Sequence, residues 1–115
     1  MLKYCAGIID GEGHIGIHKK QGRNIIELRI QMDDEKPIRM LSKILKIGYF
    51  KHMYNNNKEH YLIAISQLQA YNTLKIIEPF LISKKLQAKK CIKEYEQQIK
   101  NKESNKYTKK SIYVK

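Results

Sequence analysis

A chain of 115 residues forms one domain and leaves too little material for two cores. Its 42% hydrophobic content excludes a wholly disordered polypeptide, and no apolar run reaches the roughly 18–20 residues of a membrane span. With 23 Lys and Arg against 11 Asp and Glu the formal net charge is +12, which points to a polyanion, either nucleic acid or an anionic membrane surface.

The first five residues, Met1 to Cys5, lack a basic region followed by an apolar stretch, so secretion is not expected. Cys5 and Cys91 lie far apart with no CxxC or Cys/His cluster, the pattern of two buried, reduced thiols rather than a zinc site. Leu2 to Asp10 is short, nearly uncharged and rich in small residues, as in a helix buried on most sides. Gly11 and Gly13 are expected to stop it by relieving left-handed strain at the C-terminus. His14 to Lys20 alternates, with Ile15 and Ile17 on one face and His14, Gly16 and His18 on the other.

Gln21 to Arg23 reads as a turn, and Asn24 to Met32 alternates again. Leu28, Ile30 and Met32 are its apolar side; Glu27, Arg29 and Gln31 are its polar side. Asp33, Asp34 and Glu35 with Pro37 signal a helix start, and Ile38, Leu41 and Leu45 recur at helical spacing to about Lys46. A second hairpin is expected, with strands over 47–54 and 60–66 joined by 55–58. Ala70, Leu74, Ile77 and Leu81 predict a helix over 68–81, its last turn weakened by Pro79. Ala88, Ile92, Tyr95 and Ile99 predict a final helix. The apolar period ends near Lys102, so residues 1–101 read as the domain and 102–115 as a mobile basic tail.

The order α-β-β-α-β-β-α-α gives an α+β fold: a four-stranded antiparallel sheet with helices on one face and a polar, basic surface on the other. Such a surface fits the major groove of DNA.

Within Cys5 to Gly13, Ala6, Gly7 and Asp10 lie within one turn of each other, and Gly7 and Gly11 are four apart. Small residues at that spacing let two helix backbones approach closely. The segment ends in Glu12, read as lying just past the helix, where its charge meets the wrong end of the dipole at a cost of about 0.3–1 kcal/mol. A divalent cation would reverse that sign. If the helix paired with its own copy about a two-fold axis, both Glu12 side chains would arrive close together.

Cys5-Ala6-Gly7-Ile8-Ile9-Asp10-Gly11-Glu12-Gly13 resembles the LAGLIDADG motif of homing endonucleases, with Glu in place of the second acid. Tyr4 before it, Gly48-Tyr49-Phe50, and the run from Pro79 through Lys84 to Gln87-Ala88 resemble further segments of that family. The similarity spans about residues 2 to 100. It implies the αββαββα homing-endonuclease fold and, with one motif copy, a homodimer acting on a near-palindromic double-stranded target. It also implies Mg²⁺ bound by Glu12 and the Gly11 carbonyl, Lys84 near the metal-bound water or scissile phosphate, and Asp34 in the outer catalytic shell. Glu27, Arg29, Gln31, Lys51 and Met53 would face the major groove, with His14 and His18 on the same DNA-facing surface. Ala6, Gly7 and Asp10 would form the dimer contact.

Two other functions fit the same fold: an intron RNA maturase and a non-catalytic DNA-binding protein. An intact Glu12 favours the nuclease over a mere binder, because a carboxylate beside phosphate only repels it without a cation. The AT-rich codon bias behind so many Lys, Ile, Asn and Tyr fits an organelle, phage or low-GC bacterium, with the gene in an intron or free-standing.

Overall fold

A computed structural model gives the architecture and describes residues 1–53 and 58–113, with side chains for 1–52 and 58–102. Helix α1 (Leu2–Glu12) passes directly into strand β1 (Gly13–Lys20), which is followed by β2 (Arg23–Met32) and helix α2 (Glu35–Leu45). Then come β3 (Phe50–Met53), β4 (Glu59–Ser66), helix α3 (Gln67–Ile77), a 3-10 turn at Glu78–Phe80 and helix α4 (Lys85–Tyr113). The strands form one antiparallel sheet in the order β1-β2-β4-β3. Among the described residues no helix is long and apolar enough to cross a membrane.

Alternation along the strands sorts side chains between two faces. Ile15, Ile26, Leu28, Ile30, Ile63 and Ile65 point to one side and are buried there. Against them lie Cys5, Ala6 and Ile9 of α1, Ile38, Leu41 and Leu45 of α2, Ala70, Leu74 and Ile77 of α3, and Ala88 and Cys91 of α4. Both cysteines are free and buried, and burial pushes the Cys91 thiol up to about 11.

Several expected boundaries shift. The first helix continues through Gly11 to Glu12 instead of ending at Asp10. Gly13 is extended (φ −85°, ψ 158°), not left-handed. It is glycine for a different reason: a Cβ there would sit 2.8 Å from the Ile9 carbonyl oxygen. The left-handed glycine is Gly22 (φ 77°), which with Gln21 (φ 52°) makes a two-residue hairpin turn and leaves Arg23 to the strand.

The third strand begins at Phe50 rather than Ile47. Lys46 caps α2 in the left-handed conformation (φ 55°), and the Ile47 amide donates to the Ser42 carbonyl while the Ser42 hydroxyl donates to the Ile47 carbonyl. Those bonds fold Ile47 back onto the helix as core. Tyr54 and the loop over 55–57 lie outside the described residues. The third helix ends at Ile77, because Pro79 has no amide hydrogen to continue it; Leu81 is still buried. The last helix runs on through Tyr113, past the end of its apolar period.

One carboxylate ties the first helix to the last. Asp10 Oδ2 accepts the Ile82 amide at 2.8 Å, and Oδ1 accepts the Lys84 amide at 3.0 Å and the Ser83 hydroxyl at 3.1 Å. The Lys84 ammonium donates to the Asp10 carbonyl at 2.5 Å. Asp10 thus serves as a remote cap for the backbone entering α4. Burial would raise its pKa, but the Ile82 and Lys84 amides, the Ser83 hydroxyl and the Lys84 charge outweigh that and hold it below the ordinary carboxylate range.

Two stability predictions follow from these contacts. Gly13→Ala should lose about 1–3 kcal/mol in a denaturant titration, since a backbone oxygen cannot swing aside as a side chain can. Asp10→Ala should lose about 0.5–2 kcal/mol at neutral pH. A carboxylate with a lowered folded pKa contributes fully above its unfolded value of about 4 and loses that contribution as pH falls through the folded value. The gap in melting temperature between wild type and Asp10→Ala should therefore narrow in acid; a gap independent of pH would exclude the ionised carboxylate as its source.

Candidate active site and nucleic-acid interface

Helix α1 has two faces that do different things. At 100° per residue Cys5, Ala6 and Ile9 fall on the core side and are at most 1% exposed. Gly7 and Gly11 fall on the other side, where a Cβ would meet nothing within 4 Å. The expected contact surface is corrected accordingly. Ala6 is spent on this chain's own core, and the Asp10 carboxylate is engaged with Ile82, Ser83 and Lys84 of the same chain. Gly7 and Gly11 remain as the outward small-residue pair.

Glu12 ends this helix and is exposed. It shares an open depression with Gln31, Met32, Asp33, Asp34 and His60. Gln31 and Met32 close strand β2, and His60 begins the neighbouring strand β4. Asp34 caps α2, accepting the Lys36 amide at 3.2 Å, as the acidic start signal implied. The fold thus brings Asp34 to Glu12. Asp33 and His60 also arrive there, and neither was expected: His60 Nδ1 lies 2.6 Å from Asp33 Oδ1. Lys84 does not line this depression; its ammonium is drawn to the Asp10 carbonyl in the last turn of α1.

The open face of the sheet carries His14, Gly16, His18 and Lys20 from β1 and Ile25, Glu27, Arg29 and Gln31 from β2. In register, His14 lies opposite Arg29 and Gly16 opposite Glu27. Glu27 sits between two imidazoles, 3.8 Å from His14 Nε2 and 3.5 Å from His18 Nδ1. The missing side chain at Gly16 makes this possible: a Cβ there would stand 2.9 Å from His14 Nε2. Glu27, Arg29, Gln31, His14 and His18 are thus together on one surface, as expected.

Lys51 is not on that surface. It pairs with Tyr61, and Met53 pairs with Glu59, positions that alternate onto the helix-covered side; the Lys51 ammonium meets the Glu59 carboxylate at 2.8 Å. The Met53 side chain lies outside the description. Phe50 and His52, opposite Leu62 and His60, take the open-face positions instead. A strand that starts three residues late does not change alternation; the expectation failed because residues 47–49 are not strand and gave no anchor for the register.

No protein-family model matches the sequence, and no curated protein matches it either. Solved structures do. The archaeal intron-encoded homing endonuclease I-Vdi141I, complexed with DNA, superposes with a TM-score of 0.69 at 19% identity over 86% of this chain and 69% of its own. The homing endonuclease I-CvuI, in complex with its target in the presence of calcium, gives 0.62 at 20% identity over 80% of this chain. The LAGLIDADG meganuclease I-AabMI, bound to uncleaved DNA, gives 0.62 at 22% identity over 90% of this chain. The chain spans 63% of the length of I-CvuI and 38% of that of I-AabMI. In its element order, its single four-stranded antiparallel sheet and the helices packed on one side, the chain has the fold of the LAGLIDADG homing endonucleases.

Proposed function

We propose that the chain is a site-specific endonuclease that cuts double-stranded DNA with Mg²⁺ as a homodimer. The observation that carries this reading is the place of Glu12, exposed where a helix with an open glycine face meets the open, polar side of the sheet. Two chains joined through Gly7 and Gly11 would bring two such carboxylates together beneath a duplex held on two sheets. The DNA complexes of I-CvuI, I-Vdi141I and I-AabMI support docking through this fold.

The donor set fits magnesium. Among the described residues no three His, Cys, Asp or Glu side chains are grouped to hold a metal by themselves. Mg²⁺ does not need that: it keeps several waters and is held by one or two carboxylates together with substrate phosphates. Glu12 would supply the carboxylate and Gly11 its carbonyl; I-CvuI complexes with DNA were obtained in the presence of calcium and, with the DNA not cleaved, of magnesium. When bound, the ion would offset phosphate charge and ease attack by water. Glu27, Arg29, Gln31, His14 and His18 would divide DNA contacts between positioning on phosphates and reading of base edges. Lys84 would act through Asp10 by holding the end of the motif helix.

Cleavage of a randomised double-stranded plasmid library with Mg²⁺ should yield discrete, near-palindromic cut sites, and Glu12→Gln should yield none. Equal products from both proteins would remove Glu12 from the mechanism; specific retention of folded intron RNA without cutting would favour a maturase. Gly7→Leu tests the dimer separately. The substitution points into open space and replaces glycine with a better helix former, so the monomer should keep its melting temperature. Sedimentation should show a shift from dimer to monomer; a dimer that persists would place the interface elsewhere.

A further inference from the structure

Several carboxylates of this chain have close partners within it: Glu35 meets Arg39, Glu59 meets Lys51, and Glu94 accepts from Asn24. Glu27 is placed differently. It stands on the open face of the sheet, its side chain 22% exposed, in a depression that His18, Lys20, Ile25 and Ala64 also line. Its oxygens lie 3.8 Å from His14 Nε2 and 3.5 Å from His18 Nδ1. Both distances exceed the roughly 2.7–3.2 Å of an ordinary hydrogen bond. The imidazoles thus bracket the carboxylate without using up its acceptors. Gly16 lies opposite it in register, so the residue directly across on β1 puts no side chain over it.

A carboxylate on this face restricts what it can meet when DNA docks there. Phosphate oxygens repel it, so it cannot serve as a backbone contact. In the major groove guanine offers acceptors alone, and thymine an acceptor and a methyl group. Adenine has a donor amine, but the N7 acceptor beside it repels a carboxylate. Cytosine presents its N4 amine with no acceptor on the same edge. We propose that Glu27 is a specificity-determining residue that accepts a hydrogen bond from the N4 amine of one cytosine in each half of the target. This inference rests on the docking of DNA against the open face proposed above. The carboxylate discriminates twice: it weakens binding to every sequence, and it recovers that loss only where the amine is present.

The test is selection of bound duplexes from a randomised double-stranded library by the full chain. Ca²⁺ replaces Mg²⁺, so that the readout is binding rather than cleavage. Wild type should show one position in each half-site where cytosine is preferred by about five- to a hundredfold. Glu27→Gln, nearly the same in shape, should move that preference to adenine, whose N6 and N7 a carboxamide can meet together, and leave the other positions unchanged. Glu27→Ala should lose the preference at that position alone while binding unselected duplex more tightly. A change confined to one position is a result that general damage to the sheet would not give. An unchanged profile, or one flattened at every position by both variants, would overturn the inference. Cytosine selected through Glu27 by a protein that cuts nothing would overturn the nuclease reading and leave the inference standing. A wild-type protein that selects no duplex would overturn the docking of DNA on this face, and the inference with it.

Discussion

Much of the molecule depends on one close approach, the contact between Gly13 and the Ile9 carbonyl. It lets α1 become β1 with no loop between them. A side chain at that corner would push helix and strand apart. The absence of a loop places Glu12 at the seam between a helix end and a sheet. Asp10 then fixes the other side of the same turn by drawing the backbone before α4 against it. The carboxylate at the seam thus projects from a rigid corner, although it is itself exposed.

Charge is distributed with a purpose that the net value hides. The chain carries +12 overall, yet three of its 11 acidic residues stand around one depression. Such a group concentrates negative potential at one place in an otherwise basic protein. Many of the remaining basic residues are scattered over helices and paired in part, as Lys75 is with Glu96 and Lys89 with Glu78. The open sheet face has a different character. There a carboxylate, Glu27, is flanked by two imidazoles and a nearby guanidinium, a polar surface with donors and acceptors in alternation.

The fold was legible from periodicity because each element buries one face only. Alternation through Ile15, Ile26, Leu28 and Ile30 and the helical spacing of Ile38, Leu41 and Leu45 report the same core from two sides. The capping role of Asp34 was legible from the acidic run before Pro37, and a motif alone singled out Glu12. What escaped was whatever depends on a rotation or on pairing between distant segments. Ala6 and Gly7 are adjacent and equally small, but about 100° of helical turn sends one to the core and the other outward. Lys51 and His52 differ by one step of a strand, and that step decides the face. The Asp33–His60 contact requires β4 to lie beside β2, a consequence of strand order that no local pattern contains. The resemblance implied a place for Lys84 near a metal-bound water, and its ammonium is bonded to the Asp10 backbone carbonyl.

The tight turn at Gln21 and Gly22 makes β1 and β2 a stiff pair with a fixed spacing. Alternate residues on an antiparallel strand stand about 6.8 Å apart, close to twice the rise of a base pair. A duplex laid along this hairpin would meet one open-face side chain for about every two base pairs. His14, Gly16, His18 and Lys20 would then measure out about six base pairs, with the glycine as a gap in the ruler where Glu27 reaches across from the next strand. On the proposed function, target length would follow strand length, and the pleat would set the grain of discrimination.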